Sequence, residues 1–244
     1  MRLSTVIVQQ IKDKVRNGKS LNEISKELQI TKTTVYYWYR KFSNKRIKRV
    51  KLNDNAKTLD IGEFIGIFAG DGSFYLDKNY RYDIRIHLDT KYKNYVNHVN
   101  KLIKHLFRKK PWIYDYKPNN VTIVRIISKD VLNFIKTYLT WETYKTGTIR
   151  LKDRINYNKE FYVGFLKGLI DTDGYIDKNT ITFSTISYGL SSDIDFGLNK
   201  LKINHKIYLQ NDKRPNIKPI YRVRISKDFN KLIYLIKPNK FKYD

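Results

Sequence analysis

The chain has 244 residues, of which 41% are hydrophobic, and 49 Lys and Arg outnumber 23 Asp and Glu to give a formal net charge of +26. Counterion release from a polyanion would offset the self-repulsion of such a chain, so nucleic acid is the expected partner. The absence of cysteine excludes disulfides, thiolate zinc sites and cysteine nucleophiles.

Residues 1–42 are predicted to form a helix-turn-helix DNA-binding domain. Residues 5–16 carry apolar side chains at helical spacing and end near Gly18, while Ser20 and Thr31 can cap a second and a third helix. The predicted apolar stripe of the first helix consists of Val6, Ile7, Ile11 and Val15. The second and third predicted helices resemble the helix-turn-helix family in the apolar and small residues at their crossing. These residues are Ile24, Ser25, Leu28, Ile30, Val35 and Trp38. Gln29 stands where that family usually has Gly, so we expect a slightly strained turn.

The third helix of this domain is expected to contact DNA through hydroxyl, aromatic and guanidinium groups that suit phosphates and base edges. These residues are Thr33, Thr34, Tyr36, Tyr37 and Arg40. Small three-helix units also serve as protein-interaction modules, which is the alternative interpretation. Residues 43–58 are basic and aperiodic, and they are predicted to be a linker that lies along phosphates.

The rest of the chain contains an internal repeat. The segment "GEFIGIFAGDGSF" from residue 62 aligns with "GFLKGLIDTDGYI" from residue 164, and "VRIISKD" at 124–130 is echoed by "VRISKD" at 223–228. Because the order of the echoes is preserved, we infer a duplication. Each copy, at 59–152 and 153–244, predicts a helix, two strands, a helix, two strands and a helix. The predicted fold class is α+β: two αββαββα half-domains with antiparallel sheets, related by a pseudo-two-fold axis, plus the small all-α domain.

Alternation along the strands predicts a polar, basic face on each sheet. In residues 81–88 the polar side chains of Arg81, Asp83, Arg85 and His87 alternate with Tyr82, Ile84, Ile86 and Leu88, which are expected in the core. A sheet with such a face and helices behind it can read a DNA groove. The residues expected to contact DNA from the two sheets are Arg81, Arg85, His87, Arg125, Thr182, Ser184, Arg222 and Arg224.

Glycines recur every four residues in the first helix of each repeat. They are Gly62, Gly66 and Gly70 in one helix and Gly164 and Gly168 in the other. Glycine destabilises a helix by about 1 kcal/mol relative to alanine, and close packing of two helix backbones is the expected compensation. Such packing would bring together Asp71 and Asp173, which follow the glycine faces. Two adjacent carboxylates need cations between them, and hard oxygen ligands with phosphate favour Mg²⁺.

These two helices resemble the nine-residue motif of the LAGLIDADG homing endonucleases. The motif aligns with "FIGIFAGDG" at 64–72 and "LKGLIDTDG" at 166–174, and the resemblance extends over residues 60–244. It implies that the eighth motif residues, Asp71 and Asp173, are catalytic metal ligands, and we nominate the preceding Gly70 and Thr172 as further ligands. The sixth motif residue, commonly acidic, is Asp171 in the second copy but Ala69 in the first, so the two halves are unequal.

The resemblance also implies a basic residue near the end of each half and a polar, water-positioning residue on the second strand. The candidates are Lys145 and Lys242 for the basic residues, and His87 and Ser184 for the polar residues. It further implies a monomeric, Mg²⁺-dependent endonuclease whose saddle-shaped sheets bind a long asymmetric site in double-stranded DNA. Such an enzyme cuts across the minor groove to leave 3′ overhangs. Mn²⁺ is expected to replace Mg²⁺, and Ca²⁺ to support binding without cleavage.

Two other functions stay open on the sequence alone. A transcriptional regulator could keep the double-repeat fold for binding only, and an intron RNA-splicing maturase would use the same fold on RNA. Neither Asp is lost, and aromatic stacking motifs typical of RNA modules are not evident, so cleavage of DNA is favoured. The lack of a long apolar segment or a signal peptide predicts a soluble intracellular protein, in cytoplasm, nucleoid or organelle matrix, that is not secreted.

Overall fold

The computed structural model describes residues 3–43, 50–76, 81–211 and 218–239. Its contacts divide the chain into two units, Met1–Arg49 and Val50–Asp244, and each unit has a hydrophobic core of its own. Within the described ranges, no helix is long and apolar enough to span a bilayer.

The first unit contains three short helices. They are α1 (Thr5–Arg16), α2 (Leu21–Glu27) and α3 (Lys32–Phe42). Each helix contributes one fully buried side chain to the core, Ile11, Ile24 and Val35 respectively. The predicted apolar stripe is wrong at Val6, which is 65% exposed, because only one side of α1 meets the other two helices.

The helix ends of the first unit differ in how they are capped. Ser20 caps α2 as predicted: its hydroxyl accepts the backbone N–H of Glu23 at 3.3 Å, and the Glu23 carboxylate accepts the backbone N–H of Ser20 at 2.6 Å. Thr31 is the N-cap residue of α3, as predicted, but its hydroxyl pairs with that of Thr34 at 2.9 Å and accepts no backbone N–H. Gln29 has a φ of +55°, the left-handed region that favours glycine.

The second unit follows the predicted order of elements. Its first half comprises α4 (Thr58–Asp71), β1 (Gly72–Leu76), β2 (Tyr82–Asp89), α5 (Lys93–Phe107), β3 (Trp112–Tyr116), β4 (Val121–Ile127) and α6 (Lys129–Tyr138). A short hairpin of β5 (Leu139–Thr140) and β6 (Arg150–Leu151) leads into the second half. The second half comprises α7 (Lys159–Asp173), β7 (Gly174–Asp177), β8 (Thr180–Thr185), α8 (Tyr188–Lys200), β9 (Lys206–Gln210), β10 (Ile220–Ile225) and α9 (Phe229–Ile236).

Each half contains one open, four-stranded antiparallel sheet. The strand orders are β1-β2-β4-β3 and β7-β8-β10-β9, so the second sheet repeats the first. In register, Arg85 of β2 lies opposite Arg125 of β4, as Thr182 of β8 lies opposite Arg224 of β10. The predicted α+β class with duplicated halves is therefore confirmed.

Helices α4 and α7 pack along their glycine faces. A Cβ atom at Gly66 would lie 2.2 Å from the carbonyl oxygen of Phe165, and one at Gly164 would lie 2.0 Å from that of Leu59. Real Cβ contacts are not this short, so the two backbones touch along a line that only glycine permits. This seam joins the two halves and brings the C-terminal ends of both helices to one place.

Residues 50–57, which the sequence places in the linker, are docked on the second unit. The backbone N–H of Val50 donates to the Asp130 carboxylate at 2.8 Å, and that of Asn53 donates to the carbonyl of Leu106 at 2.7 Å. Val50 and Leu52 also pack against the core. Residues 50–57 therefore belong to the second unit, because their few apolar side chains pack on its core, and contact of this segment with phosphates stays a prediction.

Candidate active site and nucleic-acid interface

Asp71 and Asp173 are the last residues of α4 and α7. Gly72 and Gly174 follow in extended conformation and begin the first strand of each sheet. A Cβ atom at Gly70 would lie 3.1 Å from Oδ2 of Asp173, so the second carboxylate lies beside the end of the first helix. The negative ends of two helix dipoles and two carboxylates therefore meet at the seam, an arrangement that calls for cations.

Lys145 reaches the same end of the seam. Its Nζ donates to three backbone carbonyls at the end of α4: Phe68 at 2.9 Å, Ala69 at 2.8 Å and Gly70 at 2.7 Å. Burial lowers the pKa of Lys145 to about 8, although the charges of Asp173 and Asp71 oppose that shift. The side chain thus places a cation next to both acids. Lys242, the second candidate base, lies outside the described residues.

His87 lies on β2 next to this cluster. Its Nε2 is 2.9 Å from the hydroxyl of Ser73, on the neighbouring strand β1. Burial, and then the positive charges of Arg85 and Lys145, lower the pKa of His87, so the neutral imidazole is favoured. Ser184, the other candidate for positioning water, is exposed on β8 opposite Arg222.

The oxygen donors at the seam fit a hard divalent cation. The carboxylates of Asp71 and Asp173 and the backbone carbonyls of Gly70 and Thr172 are all oxygen ligands, the kind that Mg²⁺ prefers. The carbonyl of Gly70 already accepts a hydrogen bond from Lys145, which leaves it one lone pair. Among the described residues no group of three or more His, Asp or Glu could hold a metal ion, so water or phosphate oxygens would complete the coordination.

A buried polar network lies between the halves and was missed by sequence reasoning. The Glu63 carboxylate, 2% exposed, is 2.7 Å from Nε2 of His98 and 3.1 Å from Nζ of Lys167. Burial raises the pKa of Glu63, but hydrogen bonding with His98 and the charge of Lys167 outweigh it and the pKa is lowered. The Asp171 carboxylate accepts a hydrogen bond from Asn239 at 2.8 Å. Asp171, the sixth residue of the second motif, thus takes part in a hydrogen-bonded network. Ala69, at the same position of the first motif, has no polar side chain that could do so.

The polar face of the first sheet presents arginines that are held by a buried acid. Asp83 is 2% exposed and accepts hydrogen bonds from both Arg85 and Arg125, and Arg125 also lies over the Trp112 ring at 5.7 Å. Ile84 and Ile86 point to the core and are fully buried, as the alternation predicts. The strand pattern had placed Asp83 on this face but carried no sign that it would be buried there.

The remaining DNA-contact candidates are distributed over both units. In the second sheet Ser184, Arg222 and Arg224 are exposed and Thr182 is half-buried; Arg81 is exposed just before β2. In the first unit Thr33, Tyr36, Tyr37 and Arg40 are exposed on α3, whereas Thr34 is half-buried and bonded to Thr31. These positions suit contact with a polyanion. Only the positions in the second unit belong to the same compact unit as Asp71 and Asp173.

Comparison with known proteins agrees with this geometry. Residues 160–234 match the family model of the LAGLIDADG-like domain. Mesophilic variants of the homing endonuclease I-DmoI superpose with a TM-score of 0.57 at 20% identity, covering 73% of this chain and 95% of theirs. The chain is a protein of the LAGLIDADG fold.

Other similar proteins extend this picture of the LAGLIDADG fold. I-DmoI solved with DNA and Mn also gives a TM-score of 0.57 at 20% identity, over 74% of this chain and 97% of that one. Full-length DUF199/WhiA from Thermatoga maritima gives a TM-score of 0.52 at 15% identity, over 76% of this chain and 57% of that one. An uncharacterized protein of Methanocaldococcus jannaschii, MJ0398, is 24% identical over 195 residues. That match spans 78% of this chain and 66% of the relative, just under two thirds of its length.

Proposed function

We propose that the chain is a metal-dependent endonuclease that cuts both strands of a long asymmetric site in DNA, acting as a monomer. The observation that carries the proposal is the convergence of Asp71, Asp173 and Lys145 at the end of the glycine seam. The similarity in fold to I-DmoI, solved with DNA and with Mn or Ca, supports it. Mg²⁺ is the metal that we expect to be used, with Mn²⁺ in its place and Ca²⁺ for binding alone.

Three groups of residues have different roles in the proposed reaction. Asp71 and Asp173, with the carbonyls of Gly70 and Thr172, would hold the metal, which would activate water and stabilise the charge of the displaced oxygen. The ammonium group of Lys145 supplies positive charge where a scissile phosphate would lie, and it fixes the end of α4 through three carbonyls. The imidazole of His87, which is hydrogen-bonded to Ser73, would orient water.

DNA binding is assigned to the polar faces of the two sheets and to the first unit. The sheets carry Arg85, Arg125, Arg222 and Arg224, and the helix α3 would enter a major groove in the manner of a helix-turn-helix domain. With one acid from each half, each strand would be cut once, across the minor groove, leaving 3′ overhangs.

Asp71→Asn is expected to abolish double-strand cleavage while leaving DNA binding intact. The amide keeps the shape of the side chain but loses the charge that holds a cation. A metal ion contributes several kcal/mol of transition-state stabilisation, so its loss should lower the rate by about a hundredfold or more. Asp173→Asn should behave in the same way. The substrate is a plasmid that carries the uninterrupted sequence flanking the insertion site of the coding gene, incubated with and without Mg²⁺.

Asp54→Asn is the matched control, because Asp54 is exposed and precedes the N-terminal end of α4, whereas Asp71 lies at the opposite end of that helix. It makes the same chemical change and should cut like the wild type. Cleavage by Asp71→Asn at the wild-type rate would show that the catalytic assignment is wrong. Binding without cleavage by the wild-type chain in Mg²⁺ and Mn²⁺ would favour the second candidate, a DNA-binding regulator. The first unit supports that candidate, since its exposed α3 offers a DNA-binding surface independent of both acids.

A further inference from the structure

The first sheet carries an arrangement of charges that the cleavage chemistry does not use. The Asp83 carboxylate accepts Nε and Nη2 of Arg125 at 2.9 and 2.8 Å, and Nε and Nη2 of Arg85 at 3.2 and 2.7 Å. Both guanidinium groups therefore engage the acid with the same edge. Because the guanidinium is planar with donors in a fixed fork, the edge that carries Nη1 points away from the acid.

Strand pairing places the two arginines side by side on the polar face. Arg85 lies opposite Arg125, which lies opposite Trp112 of the edge strand β3. Two adjacent guanidinium groups repel each other, and Asp83 offsets that repulsion while holding both in one orientation. The side chains of Arg85 and Arg125 are still 34% and 28% exposed, whereas that of Asp83 is 2% exposed.

Asp83 stays ionised under this pair of cations. Burial raises its pKa, but hydrogen bonds from Arg125 and Arg85 and their charges outweigh burial, so the pKa lies below its usual value. The carboxylate therefore acts as a fixed anion throughout the neutral range.

We propose that Asp83 is a positioning residue that orients Arg85 and Arg125 for recognition of guanine in the DNA target. The proposal rests on the DNA-binding part of the proposed function, not on cleavage. A guanidinium that presents two donors from one edge matches O6 and N7 of guanine in the major groove. An arginine already held in place loses less side-chain entropy on binding than one that is free to rotate.

The second sheet has no such arrangement in the described part of the chain. Thr182 on β8 lies opposite Arg224, just as Arg85 on β2 lies opposite Arg125, so Thr182 corresponds to Arg85. Two residues earlier on each strand, Thr180 therefore corresponds to Asp83. Among residues 218–239 and the other described ranges, no carboxylate pairs with Arg222 or Arg224. Among the described residues the arrangement therefore belongs to the first sheet, and we expect guanine recognition in the half of the target that meets that sheet.

The test is selection from a pool of randomised DNA duplexes by the full chain in Ca²⁺. The wild type should recover duplexes with guanine at neighbouring positions of one half-site, and Asp83→Asn should weaken that preference roughly tenfold or more. Asp115→Asn is the matched control: its carboxylate lies on the same sheet and accepts a hydrogen bond from Thr122 at 2.6 Å. It removes the same charge, so it should keep the guanine preference.

Two further readouts separate positioning from folding. Affinity for unselected DNA should not fall in Asp83→Asn, because the variant is one unit more positive. Adding Asp83→Asn to the double variant Arg85→Ala with Arg125→Ala should change base preference no further. Unchanged guanine preference in Asp83→Asn, or an equal loss at every position of the site, would overturn the proposal. Guanine selection by a wild-type chain that never cuts would overturn the endonuclease assignment alone.

Discussion

Two buried carboxylates of this protein, those of Asp83 and Asp193, have contrasting electrostatic surroundings. Asp83 is surrounded by two guanidinium groups, which lower its pKa. Asp193, also 2% exposed, has burial as the dominant influence, and burial raises its pKa to about 6. Its Oδ2 accepts the backbone N–H of Leu151 at 2.5 Å, and its ion pair with Arg154 is long, with Nη1 3.7 Å from Oδ1. An ion pair of this length does not offset the loss of water around the buried carboxylate.

Asp193→Asn is expected to stabilise the protein near neutral pH. Because the folded-state pKa is above the unfolded value, the contribution of Asp193 is fully present below the unfolded pKa and is lost as pH rises through about 6. The shift corresponds to about 3 kcal/mol once the group is ionised. The gain from the amide should be near zero at about pH 4 and reach about 1–3 kcal/mol at about pH 7.

Urea unfolding across this pH range measures that difference. Asp54→Asn, which changes an exposed acid, serves as the control and should show no such trend. A gain that is the same at every pH, or a loss at neutral pH, would contradict the assignment of burial as the cause.

At the scale of elements, the packing of α4 against α7 decides where the chemistry lies. The C-terminal end of each helix carries one acid, and the register of the seam sets which residues meet. Gly168 faces the carbonyl of Glu63 in the same way, since a Cβ there would lie 2.3 Å from that oxygen. Backbone atoms cannot move aside as the end of a long side chain can, so the seam tolerates no added methyl group.

Gly66→Ala is expected to destabilise the second unit, although alanine usually favours a helix. The added Cβ would lie 2.2 Å from the carbonyl oxygen of Phe165, and forcing two helices apart costs about 3 kcal/mol or more. That exceeds the gain of about 1 kcal/mol from helix propensity. The free energy of unfolding in urea measures the balance.

Asn133→Ala is the control for the helix propensity, because Asn133 is exposed on α6. It should leave stability unchanged or slightly higher. If Gly66→Ala is as stable as the wild type, the backbones of α4 and α7 do not touch as described.

At the scale of the whole molecule, two units with separate cores carry different parts of the proposed function. The first unit has thirteen Lys and Arg against three Asp and Glu, and it contains neither acid of the seam. The second unit contains both acids, Lys145 and both sheets. Binding and cleavage should therefore respond differently to removal of the first unit.

Removal of residues 1–49 is expected to weaken DNA binding without abolishing cleavage. Affinity should fall about tenfold or more, and the slope of log K against log salt should become shallower by about 0.9 for each phosphate that the first unit neutralises. Fluorescence anisotropy over a salt series measures both quantities, and single-turnover cleavage at saturating protein measures the chemistry. An unchanged salt slope would mean that the first unit binds something other than DNA.

Short-range features of the chain were predictable from the sequence alone. Periodicity and capping residues set most helices and strands, because both depend on neighbours within a turn or a strand. The repeated glycines and the two Asp-Gly pairs predicted the seam, since only close backbone packing compensates for glycine in a helix. Predictions that depend on a single contact did not hold. Val6, expected in the apolar stripe, is exposed, and the hydroxyl of Thr31 bonds that of Thr34 and not a backbone N–H.

Long-range partners were decided by the tertiary structure. The pairing of Asp83 with Arg125 depends on strand register, and the three carbonyls that hold Lys145 belong to a helix more than 70 residues earlier. Neither interaction leaves a local periodicity, and the same is true of the docking of residues 50–57. The sequence by itself determined which residue types alternate, cap and repeat, because these are properties of the local backbone. The folded chain alone decided which charges are buried together, because desolvation depends on everything that packs around a group.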